Sequence, residues 1–210
     1  DVVLYAKPAL HVEDMWVKPV LSADNQSGAL SLQLKISGEG DFLPADAVAE
    51  YAMIDRDGGV CLKGELPLRA ETELPAQTVE QVIPWSNRNP YLYQMKITLR
   101  DGQGGIVETV SCDIGFRRIE ICNKVIMFNG RRLIINGVNR HEWSAEGGRC
   151  ISMEDMEWDI ECFKRNNINA VRTCHYPDQL AWYELCDKNG IYMMSETNLE
   201  SHGSWQKDVL

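Results

Sequence analysis

Val171-Arg172-Thr173-Cys174-His175-Tyr176-Pro177 is an apolar run that ends abruptly in a charged, turn-forming cluster. Asn198-Leu199-Glu200-Ser201-His202-Gly203 repeats the arrangement after the run from Ile191 to Met194. An earlier run, Leu133 to Val138, likewise empties into Asn139-Arg140-His141-Glu142. The chain holds 4 histidines, and His141, His175 and His202 each lie just beyond a predicted strand. Polar groups gathered at strand ends are how a β/α barrel builds an active site.

Around these runs the sequence alternates strand and helix. Ser152 is placed to cap the first amides of a helix, and Glu154 and Asp155 favour the positive end of its dipole. Met153, Met156, Ile160 and Phe163 recur at steps of three and four, one helical face. Asn169 to Cys174 reads as a strand. Leu180 to Lys188 reads as a second helix, with Gly190 suited to its C-terminal cap. Ile191 to Met194 is a third strand. Strand, helix, strand, helix, strand implies parallel pairing with right-handed crossovers. Before them, Val125 to Phe128, Asn129-Gly130 and Leu133 to Ile135 read as a tight hairpin, because Asn-Gly favours a primed turn. A complete barrel takes roughly 250 residues, so residues 118–210 are expected to be the N-terminal part of a (β/α)8 barrel, its first three β/α units.

Up to about Phe116 the periodicity is two. Leu30, Leu32, Leu34 and Ile36 alternate with Ser31, Gln33, Lys35 and Ser37. Val48 to Ile54 runs through Asp57-Gly58-Gly59 into Val60-Cys61-Leu62, a hairpin signal. Tyr91 to Leu99 runs through Asp101-Gly102 and Gly104-Gly105 into Ile106-Val107, a second hairpin. Ala70 to Gln77 reads as a loop. Short strands at this spacing predict an immunoglobulin-like antiparallel β-sandwich over residues 1–117. The fold class is therefore multidomain, β followed by α/β: a sandwich, then a truncated TIM barrel.

Composition narrows the partners. The net charge of −10 argues against nucleic acid and anionic membrane surfaces, which require a basic patch. No apolar stretch approaches the roughly 20 residues of a membrane span. The 7 cysteines form no Cys-x-x-Cys, against a zinc ribbon or redox pair. A Cys61–Cys112 bridge across the sandwich is conceivable, but free thiols in a reducing, cytoplasmic compartment are the better reading. A start at Asp1 is read as opening mid-protein.

Each candidate residue has a bland reading beside the functional one. His141 sits either in a surface Arg-His-Glu cluster or as a donor to a substrate hydroxyl or transition-state oxygen. Arg172 and His175 form either a strand-to-helix corner, with Arg172 paired to a carboxylate, or a polar active-site floor. Glu200 and His202, two apart, project to one side of an extended chain and can reach one ion. The carboxylate favours Mg²⁺, while the imidazole leaves a transition metal open. Trp143, Trp182 and Trp205 are core packing by default, with sugar stacking as the alternative. Glu142, Glu196 and Glu200 are strand-end glutamates, but no spacing assigns two of them as a glycosidase pair.

Taken in order, several motifs resemble glycoside hydrolase family 2. These are Gly115-Phe116-Arg117, Asn129-Gly130-Arg131, Gly137 to Glu142, Asn167 to Pro177, Cys186-Asp187 and Asn198 to Gly203. Pro84-Trp85-Ser86 and Pro90 to Tyr93 resemble the last strands of that family's immunoglobulin-like middle domain. Asn198 to Gly203 is similar to the β-galactosidase branch, with Ser195-Glu196-Thr197 departing mildly from the usual Asp-Glu-Ala. The resemblance implies a retaining enzyme acting on terminal non-reducing β-D-galactose, with His141, Arg172 and His175 forming the sugar pocket. It implies that Glu200 and His202 hold Mg²⁺, with a monovalent cation in the full enzyme as well. Both catalytic glutamates are expected beyond Leu210, so no catalytic residue is assigned here and the chain alone is expected to be inactive. A homo-oligomeric full-length protein and a self-associating fragment are further expectations. The rival readings are a fragment of a β-glucuronidase or other family 2 glycosidase, and a non-catalytic carbohydrate- or protein-binding sandwich module.

Overall fold

The computed structural model describes residues 4–38 and 43–198. Seven strands build the sandwich: β1 (His11–Leu21), β2 (Gly28–Ser37), β3 (Val48–Ile54), β4 (Val60–Pro67), β5 (Glu71–Val79), β6 (Tyr93–Arg100) and β7 (Ile106–Ile114). They form one sheet of order β1-β2-β5 and another of order β4-β3-β6-β7, antiparallel throughout. Three strands facing four is the immunoglobulin-like arrangement. The alternation seen in β2 has a physical outcome: Leu30, Leu32, Leu34 and Ile36 are buried against Met53, Met95, Ile97 and Leu99 within one core cluster. Gly28 is required by close approach, since a Cβ there would lie 2.4 Å from the Phe116 ring. That ring is wholly buried and meets Tyr93 edge-on, with centroids 5.6 Å apart.

One sequence reading is overturned here. Of the stretch Ala70 to Gln77 expected as a loop, all but Ala70 belongs to β5, an edge strand paired with β2. Glu71, Glu73 and Pro75 suggest a loop, yet they face solvent while Thr72 and Leu74 turn inward. Pro75 is tolerated because β5 is an edge strand and the ladder shifts register between Leu30 and Leu32. The seven cysteines are all free thiols.

A small antiparallel sheet follows, of order β10-β9-β8: β8 (Ile119–Cys122), β9 (Val125–Phe128) and β10 (Arg131–Arg132). Asn129 and Gly130 have φ of 50° and 78°, as a primed turn demands. The expected return strand at Leu133 to Ile135 is shorter and earlier, since pairing stops at Arg132. Asn123 and Lys124, at 49° and 66°, form a second such turn between β8 and β9.

The β/α segment comprises β11 (Gly137–Arg140), α1 (Met153–Arg165), β12 (Ala170–Thr173), α2 (Leu180–Asn189) and β13 (Tyr192–Met194). The strands lie parallel in the order β11-β12-β13. Ser152 caps α1 through a reciprocal capping box with Asp155, and Gly190 closes α2 in the left-handed region at φ 73°. Met156, Ile160 and Phe163 are buried with Trp182, Cys186 and Val171, whereas Met153 is exposed despite its place in the repeat. Asn169 ties the strand starts together: its Oδ1 accepts from the Asn136 amide at 2.8 Å, and its Nδ2 donates to the Ile134 carbonyl at 2.8 Å. The described residues up to 85 and 91–132 form one compact unit, and 86–90 with 133 onward form the other. Among the described residues no helix is long and apolar enough to cross a membrane.

Candidate functional site at the strand ends

Parallel register brings three chain segments to one end of the sheet. Arg140 is level with Thr173, and Arg172 with Met194. His141-Glu142, Cys174-His175-Tyr176 and Ser195-Glu196 therefore emerge side by side. The His141 and His175 rings meet edge-on with centroids 5.4 Å apart. Tyr176 Oη lies 3.4 Å from His141 Nδ1 and accepts from the Glu142 amide at 3.2 Å.

Arg172 organises the second half of the site. Its Nε donates to Glu196 Oε1 at 2.7 Å, and its Nη2 approaches the same oxygen at 2.6 Å. Nη2 also lies 3.0 Å from His175 Nδ1, which in turn is 3.2 Å from Glu196 Oε2. The Glu196 amide donates to the buried Thr173 hydroxyl at 3.0 Å, which fixes the start of that segment. Partial desolvation works to raise the Glu196 carboxyl, but the Arg172 hydrogen bond and charge outweigh it, with His175 adding to them. The group is held below the ordinary carboxylate range.

Beneath this layer lies a buried charge network. The Arg140 guanidinium stacks 3.8 Å from the Trp182 ring, with Nη1 on Asp178 at 2.7 Å and Nε on Asp159 at 2.8 Å. Asp178 is enclosed, its Oδ1 has no hydrogen-bond partner among the described residues, and burial pushes its carboxyl up to about 6 against the pull of Arg140. Glu142 supports the fold, because its Oε1 accepts from the amide of Gln179, the N-cap of α2, at 3.0 Å. That position otherwise has no side-chain cap. Burial pushes the Cys186 thiol, also in this core, up to about 12.

The structure thus brings His141, Arg172 and His175 together. Arg172 is paired to a carboxylate, as the corner reading of it expects, and its Nη2 also lies beside His175. Trp182 is core, under Arg140 and against Phe163, and Trp143 is exposed. Glu200, His202 and Trp205 lie outside the described residues. Sequence reasoning missed Glu196 as the partner of Arg172 and His175, and Tyr176 and Cys174 as members of the site. Only the emergence of Glu196 after a third parallel strand signalled the first of these.

A sandwich precedes parallel β/α units whose strand ends carry histidines and an Arg–Glu pair, the end at which β/α barrels build their active sites. The model for glycosyl hydrolases family 2 matches residues 10–117, and the model for that family's TIM barrel domain matches residues 119–209. The chain belongs to glycosyl hydrolases family 2. It is similar to a protein of Lactobacillus acidophilus named beta-galactosidase large subunit, 49% identical over 99% of this chain and 32% of that one. A protein of the same name from Lactobacillus helveticus is 47% identical, again over 99% of this chain and 32% of its own length. The chain spans about a third of the length of these curated relatives. Among solved structures, a Parabacteroides merdae β-glucuronidase shares the fold with a TM-score of 0.81. Identity there is 23%, covering 90% of this chain and 24% of that one.

Proposed function

We propose that this chain is the sugar-positioning part of a retaining β-galactosidase that hydrolyses terminal non-reducing β-D-galactose. The observation that carries the reading is the His141–His175 pair beside the Arg172–Glu196 ion pair, at the ends of adjacent parallel strands. Imidazole N–H groups in that position can donate to ring hydroxyls and to the oxygen on which charge develops as the glycosidic bond breaks. Arg172, with Glu196, holds the His175 ring. The names of relatives approaching half identity along nearly all of this chain support the same reading.

A β-glucuronidase requires a free cation for the uronate carboxylate. At the described strand ends Arg172 is neutralised by Glu196 and Arg140 is buried among acids, which favours a neutral sugar. Glu200 and His202 are proposed as Mg²⁺ ligands. A carboxylate suits that hard ion, and an ion that retains waters tolerates one neighbouring imidazole. When bound, Mg²⁺ would supply positive charge near the reacting sugar. The free thiols support a reducing, cytoplasmic compartment. A homo-oligomer is proposed for the full-length protein. The words "large subunit" in the relatives' names support instead an assembly with a second kind of chain. A polypeptide limited to these residues is proposed to self-associate, since among the described residues β11 and β13 are the edges of their sheet.

The test is kinetic. In a full-length enzyme carrying this segment, His175→Ala and His141→Ala should each lower kcat/KM on a chromogenic β-galactoside by about 100- to 1000-fold, the scale of a lost oxyanion donor. Folding should be unaltered, because both rings are exposed. The 210-residue polypeptide alone should give no turnover. Wild-type kcat/KM in both histidine variants would remove them from the sugar pocket.

A further inference from the structure

Cys174 Sγ is a third ligand-type atom beside the two imidazoles, and the galactoside reading leaves it unused. We propose that His141, Cys174 and His175 form a binding site for a thiophilic divalent transition ion, with Zn²⁺ the best match. One ligand atom from each of the three lies within 4.8 Å of the other two. Around a tetrahedral zinc, with Zn–N near 2.0–2.1 Å and Zn–S near 2.3 Å, neighbouring ligand atoms are about 3.5 Å apart. Closing the cluster therefore takes about 1.3 Å, within the reach of two solvent-exposed imidazoles that turn about their own side-chain bonds. Cys174 itself is buried.

The surroundings are those of a prepared ligand set. His175 Nδ1 faces the Glu196 carboxylate at 3.2 Å, and His141 Nδ1 faces the Tyr176 hydroxyl at 3.4 Å. With Nδ1 protonated toward Glu196, the His175 Nε2 lone pair is left for a metal, and this tautomer requires Arg172 Nη2, 3.0 Å from Nδ1, to turn away from that nitrogen. Arg172 Nη1 donates to Cys174 Sγ at 2.9 Å, a charge-assisted contact to which a metal-bound thiolate is a good acceptor. The guanidinium charge does not exclude a cation, because Glu196 offsets it at 2.6 Å.

Two imidazoles and one thiolate leave a fourth tetrahedral position for water, and the sulfur selects zinc-like ions over Mg²⁺ and Ca²⁺. Binding is a proton exchange without redox change: the Sγ–H bond is lost, its proton goes to solvent, and the sulfur bonds the ion. This site shares no residue with the Glu200–His202 pair but shares both histidines with the proposed sugar pocket, so a bound ion and a galactoside would compete for it. Cobalt binding would persist in a chain that bound no galactoside.

Co²⁺, a spectroscopic substitute for Zn²⁺, tests the proposal on the full 210-residue chain after removal of metal. The expected result is one equivalent bound, with a near-ultraviolet thiolate-to-cobalt charge-transfer band. Cys174→Ser should abolish that band. His141→Gln and His175→Gln, both at exposed positions and checked for folding by circular dichroism, should each weaken Co²⁺ affinity by at least about 10-fold, the scale of loss that even outer-shell partners produce. The proposal is overturned if no charge-transfer band forms, if the band survives Cys174→Ser, or if both histidine variants bind Co²⁺ as tightly as the parent. The histidine variants decide the matter on their own should Cys174→Ser not fold.

Discussion

The sandwich and the β/α segment solve the problem of a stable interior in opposite ways. The sandwich core is apolar side chains from two facing sheets, with Leu30, Leu32, Met53, Met95, Ile97 and Leu99 all fully enclosed. The β/α core is smaller, and a guanidinium with a wholly buried aspartate lies against its central tryptophan. Burying such a pair costs desolvation energy that apolar packing does not. The second region tolerates it where the first has none among its described residues, and the pair lies directly under the strand ends. Arg140 is the last residue of β11 and His141 follows it, while Asp178 is two residues beyond Tyr176. We read the buried pair as the support that holds the two histidine-bearing segments at a fixed spacing.

The largest effect should come from breaking that pair. Arg140→Ala leaves Asp178 uncompensated and should destabilise the β/α segment by about 3–5 kcal/mol. Hydrogen exchange should locate the loss in residues 136–194 and spare the sandwich strands. The effect depends on pH with a definite sign. The folded state raises the Asp178 carboxyl from 3.8 to about 6, so it favours the protonated form. The stability this group contributes is fully present below pH 3.8 and is lost as pH rises through about 6. The Arg140→Ala penalty should therefore be greatest near pH 8 and shrink toward pH 5, where a neutral Asp178 needs no counter-charge. A pH-independent penalty would mean that lost packing on Trp182, and not charge, explains it.

The matching change in the other region is Leu32→Ala, which removes apolar volume from a packed core. It should destabilise the sandwich by about 2–5 kcal/mol, with no comparable pH dependence, as read by urea unfolding at pH 5 and pH 8. Smallest is Ser152→Ala, which deletes one half of the α1 capping box and should cost about 1 kcal/mol. Faster exchange in the first turn of α1, with the remainder of the segment unchanged, is the expected signature.

The same contrast governs what was legible in the sequence. Strands with one buried face announce themselves by alternation, as Leu30 to Ile36 does, and turns by residues able to take positive φ, as Asn129-Gly130 does. Glu71 to Val79 hides its alternation, because a bulge at Pro75-Ala76 shifts the phase, exposing Pro75 and Ala76, and the inward Thr72 is polar. In the β/α segment the caps of both helices and the parallel strands were readable. So were the strand-end positions of His141, Arg172 and His175. The cross-strand distances were not. Nothing in the spacing of Arg172 and Glu196 shows a 2.6 Å ion pair, or that Glu142 accepts from the Gln179 amide at the start of α2. Those contacts follow from parallel register, which exists only once the strands are folded beside one another.

The neutral-sugar reading rests on the pairing of Arg172 with Glu196, and one measurement addresses it most directly. A full-length enzyme carrying this segment should be assayed on matched chromogenic β-D-galactoside and β-D-glucuronide substrates under identical conditions. The account predicts efficient turnover of the galactoside and little or none of the glucuronide. A kcat/KM that favours the glucuronide would contradict it.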